Sequence, residues 1–387
     1  MSEWKMCRIG DLCDTISETY KRTDNMVVLI NTSDVLEGEV LNHTPVPNEN
    51  LKGQFKKTFQ RNDILYSEIR PANKRFAFID FDDTSRYIAS TKLMVLRPRK
   101  DVVLPLFLYA ILKSRDVIEE LQHLAETRSG TFPQITFSSE LAPMEIMVPD
   151  FTTQKQIVSI LSSIEDRIRL NTAINENLEQ QAQALFKNLI EDIQERVPFT
   201  SVIQVLGGGT PKTGKQEYWN GEIPFFTPKD VGAPYVLTTE KSITPLGLDN
   251  CNSRLYPVNT VFLTARGTVG KVSLAGVPMS MNQSCYALAG KDGLHQIIVY
   301  HYVLETVKAL KHKASGAVFD AIITRDFDTE SVPALSSEQI DSFIAVAEPI
   351  YSDILNRTIE NQRLAALRDT LLPKLMNGEI DVSAVKI

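Results

Sequence analysis

From Ile157 to Leu189 the chain reads IVSILSSIEDRIRLNTAINENLEQQAQALFKNL, and positions 157, 161, 164, 168, 171, 175, 178, 182, 185 and 189 hold Ile, Leu, Ile, Ile, Asn, Asn, Leu, Ala, Leu and Leu. Steps of four and three residues alternate along the whole stretch. That period predicts a long α-helix with a coiled-coil seam. At roughly 1.5 Å per residue the helix is about 48 Å long, and it cannot bury such a seam alone.

Its partner is in the same chain. Adding 186 to each number lands on Phe343, Ala347, Ile350, Ile354, Arg357, Asn361, Leu364, Arg368, Leu371 and Leu375, a second and less regular helix of the same design. Thr172 matches Thr358, Asn175 matches Asn361, and Leu185-Phe186 matches Leu371-Leu372. The expected seam comprises Leu161, Ile164, Ile168, Leu178, Leu185 and Leu189 on one helix, with Ile350, Ile354, Leu364, Leu371 and Leu375 on the other. Pro349 should bend or break the second helix near its start, and Pro373 should weaken its last turn. Asn171 and Asn175 fall in the seam, where paired amides could set the register. They could equally be wet breaks in an imperfect amphipathic helix.

Each helix follows a stretch of β-like runs and turns that closes on a proline, Pro149 and Pro333. Ser129-Gly130 and Ser315-Gly316 keep the 186 offset, while Asn62-Asp63-Ile64-Leu65 and Asn259-Thr260-Val261-Phe262 match at 197. The chain is therefore an internal duplication of a globular unit plus a long helix. The expected fold is α+β, with two mixed globular domains joined by two long antiparallel coiled-coil helices. The expected divisions are 1–150, 151–197, 198–334 and 335–387. The simplest packing puts one globular unit at each end of the helix pair.

With 387 residues and 43% hydrophobic content, the chain is long and apolar enough for two or three packed domains. Lys and Arg number 41 against 48 Asp and Glu, giving a formal charge of −7 and excluding a polybasic nucleic-acid protein. A site-specific DNA binder survives, because phosphate contacts depend on where the positive charges lie. The second globular stretch carries 12 positive against 11 negative residues, whereas the first carries 19 against 22. No signal-like start and no long apolar run are present, so a soluble, cytoplasmic protein without membrane contact is expected. Cys7, Cys13, Cys251 and Cys285 lack CxxC spacing, and neither a metal site nor a disulfide framework is expected.

Catalytic patterns are missing. Gly209 to Lys215 fits GxxxxGK, yet Gln216 cannot supply a magnesium hydroxyl and the residues that follow do not suggest a helix. There is no Pro-Pro dipeptide of an amino-methyltransferase loop and no GxGxxG. The one Glu-x-Lys, Glu3-Trp4-Lys5, lies in what should be a frayed terminus. No Gly-x-Ser-x-Gly elbow occurs, and the five histidines have no obvious nucleophile beside them. A non-catalytic protein is the better reading.

The string Gly207-Gly208-Gly209-Thr210-Pro211-Lys212-Thr213, followed by Glu217-Tyr218-Trp219-Asn220-Gly221-Glu222-Ile223-Pro224-Phe225-Phe226-Thr227 and Asp230, resembles the opening of a recognition domain in the DNA-specificity subunits of type I restriction-modification systems. Arg266-Gly267-Thr268-Val269-Gly270-Lys271, Asn282-Gln283-Ser284 and the C-terminal run from Leu367 to Gly378 carry the same resemblance. It covers essentially the whole chain. The first unit departs from it, lacking the Gly-Gly-Thr-Pro string and having Arg70-Pro71-Ala72-Asn73-Lys74 near the place of Arg266-Gly267.

The resemblance implies a non-catalytic subunit that binds one half of a split double-stranded DNA target with each globular domain. The helices would act as a ruler, about 48 Å or roughly 14 base pairs at about 3.4 Å each. Two methyltransferase subunits would dock on the chain and transfer a methyl group from S-adenosylmethionine to adenine, so no cofactor belongs to this chain. Restriction subunits could join for cleavage. Acidic faces around Glu176, Glu179, Glu360 and Asp369 are candidates for that docking, or plain solvent faces.

Base edges and phosphates call for basic and amide side chains. In the first unit the candidates are Lys56, Lys57, Arg70, Lys74, Arg75 and Arg128. In the second they are Lys212, Lys215, Arg266, Lys271 and Lys313, with Arg266 corresponding roughly to Arg70. Tyr218 and Trp219 suit a core better than a stacking platform. Two alternatives remain: a stand-alone restriction enzyme or nuclease, and a structural scaffold without DNA binding.

Overall fold

The computed structural model of the protein describes residues 4–382 apart from 50, 52, 129–130, 233 and 314–320. The Ser-Gly pairs used to trace the duplication lie outside the described residues, as does Glu3. The chain forms two compact units, Met1–Asp166 with Ala365–Ile387 and Arg167–Leu364.

In the first unit a four-stranded antiparallel sheet runs in the order Cys13–Ile16, Leu93–Pro98, Ile64–Ser67, Phe76–Phe78. The strand Ile64–Ser67 is buried throughout. Successive side chains point to opposite faces, so Ile64 and Tyr66 enter one core and Leu65 another. A continuous apolar run rather than an alternating one results, as expected of a strand covered on both sides. A second sheet pairs Val46–Pro47, Met26–Ile30, Tyr87–Ser90 and Phe55–Lys57. Lys5–Arg8, expected to fray, instead pairs antiparallel with Glu145–Val148. Its ladder closes the unit just before the first long helix.

The second unit repeats this frame. Ile203–Gly207, Cys285–Gly290, Val261–Thr264 and Val272–Ala275 lie in the same order, with Tyr235–Val236 added at the edge. Val261 and Leu263 enter one core and Phe262 the other. Arg196–Pro198 pairs with Ser331–Pro333 before the second long helix.

The long helices span Phe151–Ile190 and Ser337–Met376, 40 residues each. Asp150 starts the first by accepting from the Thr153 amide at 2.9 Å, which satisfies one of the unpaired amides of the first turn. Ser336 does the same for Gln339, whose side chain returns to the Ser336 amide. Within the second unit the helices run antiparallel. The Asn361 amide reaches the Ile168 carbonyl, Asn175 reaches Ile354 and Thr358, and Phe186 packs on Phe343.

Two seam expectations need correction. Leu185 is 42% exposed, and Phe186 is buried in its place. Leu372 likewise is buried where Leu371 is only half-buried. An α-helix with 3.6 residues per turn falls about 20° behind a seven-residue repeat in each heptad. After several heptads the next residue faces inward. Nor do Pro349 and Pro373 interrupt the second helix. Each removes one amide donor, a loss that a helix anchored at both ends by packed cores accommodates.

Candidate nucleic-acid interface

The central strand of each unit runs into a loop held by the same backbone hydrogen bonds. In the first unit the Glu68 amide donates to Lys92 O at 3.0 Å, Ile135 donates to Glu68 O at 2.9 Å, and Ser67 donates to Arg75 O at 2.8 Å. In the second, Ala265 donates to Ser284 O, Ile322 to Ala265 O and Thr264 to Lys271 O, each at 2.9 Å. Bridges join Ile69 to Gln134 and Arg266 to Ala321. Arg266 is therefore the counterpart of Ile69, and Arg70 that of Gly267, one residue off the expected correspondence.

Backbone conformation agrees. Arg70 (φ 46°) and Lys74 (φ 52°) sit in the left-handed region, as do Gly267 (φ 81°) and Gly270 (φ 73°). For a residue with a Cβ that conformation costs about 1–2 kcal/mol. The first loop carries that cost and in return presents long cationic side chains where the second has glycine.

Three separate motifs meet around the second loop. Asn282 donates its amide to Phe226 O at 3.0 Å, Gly209 donates to Met281 O at 3.2 Å, and the Thr210 hydroxyl meets the Gln283 side chain. A Cβ on Gly208 would lie 2.1 Å from the Asn282 carbonyl oxygen, so only glycine allows the strands this close. Asp230 caps the next turn, accepting from the amide and hydroxyl of Thr227 at 2.7 Å. The Thr268 hydroxyl donates to Pro228 O at 3.0 Å. Chain segments near residues 209, 228, 267 and 283 thus form one polar rim.

The expected contact residues fall into different situations. Arg70, Lys212, Arg266 and Lys271 are exposed on the loops. Lys56 is exposed on its strand. Lys74 is exposed and paired with Glu37 at 2.9 Å. Arg128 pairs with Glu140 at 3.2 Å, Lys215 with Glu217 at 3.4 Å, and Lys313 with Glu330. Lys57 is a different case. Its Nζ donates to Thr91 O at 3.1 Å and Leu93 O at 2.8 Å, and burial lowers its pKa against the opposing pull of Glu68. Its ammonium braces the sheet instead of pointing outward. Arg75 similarly donates to Ser33 O and Val35 O.

Sequence reasoning passed over Lys92, whose Nζ meets Glu68 and Gln134 at 3.4 and 2.9 Å beside the first loop. It also passed over Lys229, exposed beside the second loop. The spacing of Asn282-Gln283-Ser284 from Ser90-Thr91-Lys92, which precede equivalent strands, is the signal that could have found Lys92. Tyr218 is buried and Trp219 half-buried, edge-on to Phe225 at 5.5 Å. The GxxxxGK stretch leads into a short turn at Gln216–Tyr218 and then a strand, so no helix N-terminus receives it. Of the acidic docking candidates, Glu179 accepts from the Tyr300 hydroxyl at 2.8 Å, Glu360 pairs with Arg167 at 3.0 Å and exposed Asp369 pairs with Arg368 at 2.7 Å, while Glu176 is exposed on its helix. No group of three His, Cys, Asp or Glu side chains is gathered for a metal among the described residues. No helix there is long and apolar enough to cross a membrane.

Residues 1–180 and 194–343 match the family described as type I restriction modification DNA specificity domain. The specificity subunit of the type I restriction enzyme HindI from Haemophilus influenzae is 30% identical, over 98% of this chain and 100% of that one. The MjaIX specificity subunit of Methanocaldococcus jannaschii is 30% identical over 42% of this chain and 38% of its own. Among solved structures, the S subunit of a type I restriction-modification system from M. genitalium matches 97% of this chain and 96% of its own, with a TM-score of 0.56 at 14% identity. That last likeness is one of fold.

Proposed function

The chain belongs to the type I restriction-modification DNA specificity family, and from that premise we propose that it reads a bipartite double-stranded DNA target without catalysing any reaction itself. Residues 1–150 and 198–334 are the two target-recognition domains, one for each half-site. The helical regions 151–197 and 335–387 set the gap between the halves.

Two methyltransferase subunits dock on the chain in the cytoplasm and bring the S-adenosylmethionine used for adenine methylation. Restriction subunits join the same assembly when DNA is to be cleaved. Nothing in this chain needs to bind the methyl donor.

One observation carries the reading. The loop frame occurs twice, with three backbone hydrogen bonds in common, yet its left-handed positions differ: Arg70 and Lys74 in one copy correspond to Gly267 and Gly270 in the other. Recognition of two unlike half-sites requires a common frame with different side chains at the base edges. A stand-alone nuclease would need a constellation of catalytic groups, and a scaffold would have no reason to keep cationic loops on a repeated frame.

The test is to co-express the chain with its methyltransferase and map methylated adenines across genomic DNA. A two-part motif with a fixed gap is expected, and exchange of residues 198–334 for another such domain should alter one half alone. Methylation without sequence preference from an assembled complex would defeat the reading.

A further inference from the structure

The second unit holds a groove of about 700 Å³ beside its recognition loop, between that loop and the helix Gln296–Lys313. Lys271, Lys308, Lys311 and His312 line it, and the carboxylate among its lining residues is Glu179. Glu179 is held by the hydroxyl of buried Tyr300. Lys311 Nζ donates to Gly270 O at 2.9 Å, fastening the helix to the loop. Lys308 stands one turn before it on the same face.

The first unit fastens its loop differently. There Gln122 of the helix Arg115–Arg128 accepts from the Ala72 amide at 3.0 Å. Its neighbours one turn away are Glu119 and Glu126, and Glu126 accepts from Gln122 at 2.7 Å. The helix face that meets the loop therefore carries carboxylates in one unit, Glu119 being paired with Arg115 at 2.6 Å, and lysines in the other. A frame shared by both does not demand this difference, since the clamp works with a neutral side chain.

We propose that the groove lined by Lys271, Lys308, Lys311 and His312 binds consecutive DNA phosphates, making the second unit the electrostatic anchor of the chain while the first depends on its loop contacts. The proposal rests on the DNA-reading function above. It supplies affinity without sequence preference, because phosphates are the same at every base pair. The groove is open, and Lys271 at its edge ends the same loop that carries exposed Arg266.

The test uses the full chain assembled with its methyltransferase subunits, and fluorescent duplexes with and without the mapped target. For the double variant Lys271→Gln/Lys308→Gln, the slope of log affinity against log salt should fall by about 2, at roughly 0.9 per lost phosphate contact. Both duplexes should weaken to the same extent, with the methylated motif unchanged. Lys308→Gln alone should lower the slope by about 1. An unchanged slope in a double variant with wild-type thermal stability would overturn the groove while leaving the specificity reading intact. A changed motif would also overturn it, since the lysines would then be reading bases. If the double variant fails to fold, an unchanged slope in the single variant Lys308→Gln overturns it. A wild-type complex with no bipartite motif would sink the specificity reading and the groove together.

Discussion

Asn171 on the first long helix donates its side-chain amide to the Asn361 side-chain oxygen on the second at 2.9 Å. Asn171 is fully buried, and Arg357 donates to its oxygen at 3.1 Å. Glu360 accepts from both Asn171 and Arg167, and these contacts, Arg167 first, hold its carboxyl below the usual carboxylate range. The seam asparagines are thus partners in a polar layer rather than wet breaks. Satisfaction is nearly complete, with Asn175 Oδ1 left over.

Removing one member of that layer should cost more than a single hydrogen bond. Asn171→Ala would remove the buried amide's hydrogen bonds with half-buried Asn361 and Arg357, at about 1–3 kcal/mol for the two together, along with its contact to the more exposed Glu360. Urea unfolding measures it. A loss below about 0.5 kcal/mol would show that water replaces the amide freely.

Adjacent positions on one helix should behave oppositely. Phe186 stacks on His301 at 4.6 Å and meets Phe343 edge-on, so Phe186→Ala should cost about 3–5 kcal/mol. Exposed Leu185→Ala should stay within about 0.5 kcal/mol. Equal destabilisation of the two variants would mean that the seam follows the strict heptad after all.

His301 makes stability depend on acid. Burial lowers its pKa from 6.5 to about 3, and its ring shares a hydrogen bond with the Tyr351 hydroxyl at 3.1 Å. Between those values the unfolded chain binds a proton that the folded chain refuses. Stability therefore falls as pH drops from about 6.5 toward 3, by at most about 1.4 kcal/mol per pH unit, and this contribution is constant above 6.5. His301→Gln should be less stable at neutral pH but show a shallower acid decline in thermal midpoint. An identical decline would assign the linkage elsewhere.

The two loops should fail separately. Arg70→Ala should reduce methylation dependent on one half-site, and Arg266→Ala should affect the other, each relaxing its own bases by about 1–3 kcal/mol if the contact is bidentate. Sequencing of methylated adenines from the two variants distinguishes them. Uniform loss across both halves would make these arginines phosphate contacts.

Much of the architecture was legible in order. The helix period needs no tertiary context, because the residues facing one side of a helix are set by 3.6 residues per turn. The duplication could be traced at Asn62 and Asn259, which both adopt left-handed backbone, with φ of 72° and 67°. The family followed from the Gly-Gly-Thr-Pro, Arg-Gly and Asn-Gln-Ser strings. What sequence could not supply was which lysines are spent. Lys57 and Arg75 look like surface cations in the chain, and only strand pairing places carbonyl oxygens around their ends.

The sequence by itself determined the α+β duplication, the paired long helices and the family, since each rests on local period and on motifs that are contiguous in the chain. Tertiary structure alone decided that Phe186 replaces Leu185, that Arg70 corresponds to Gly267, and that residues near 209, 228, 267 and 283 share one rim. Those outcomes depend on accumulated helix drift and on strand register, and both are fixed only when distant segments pack together.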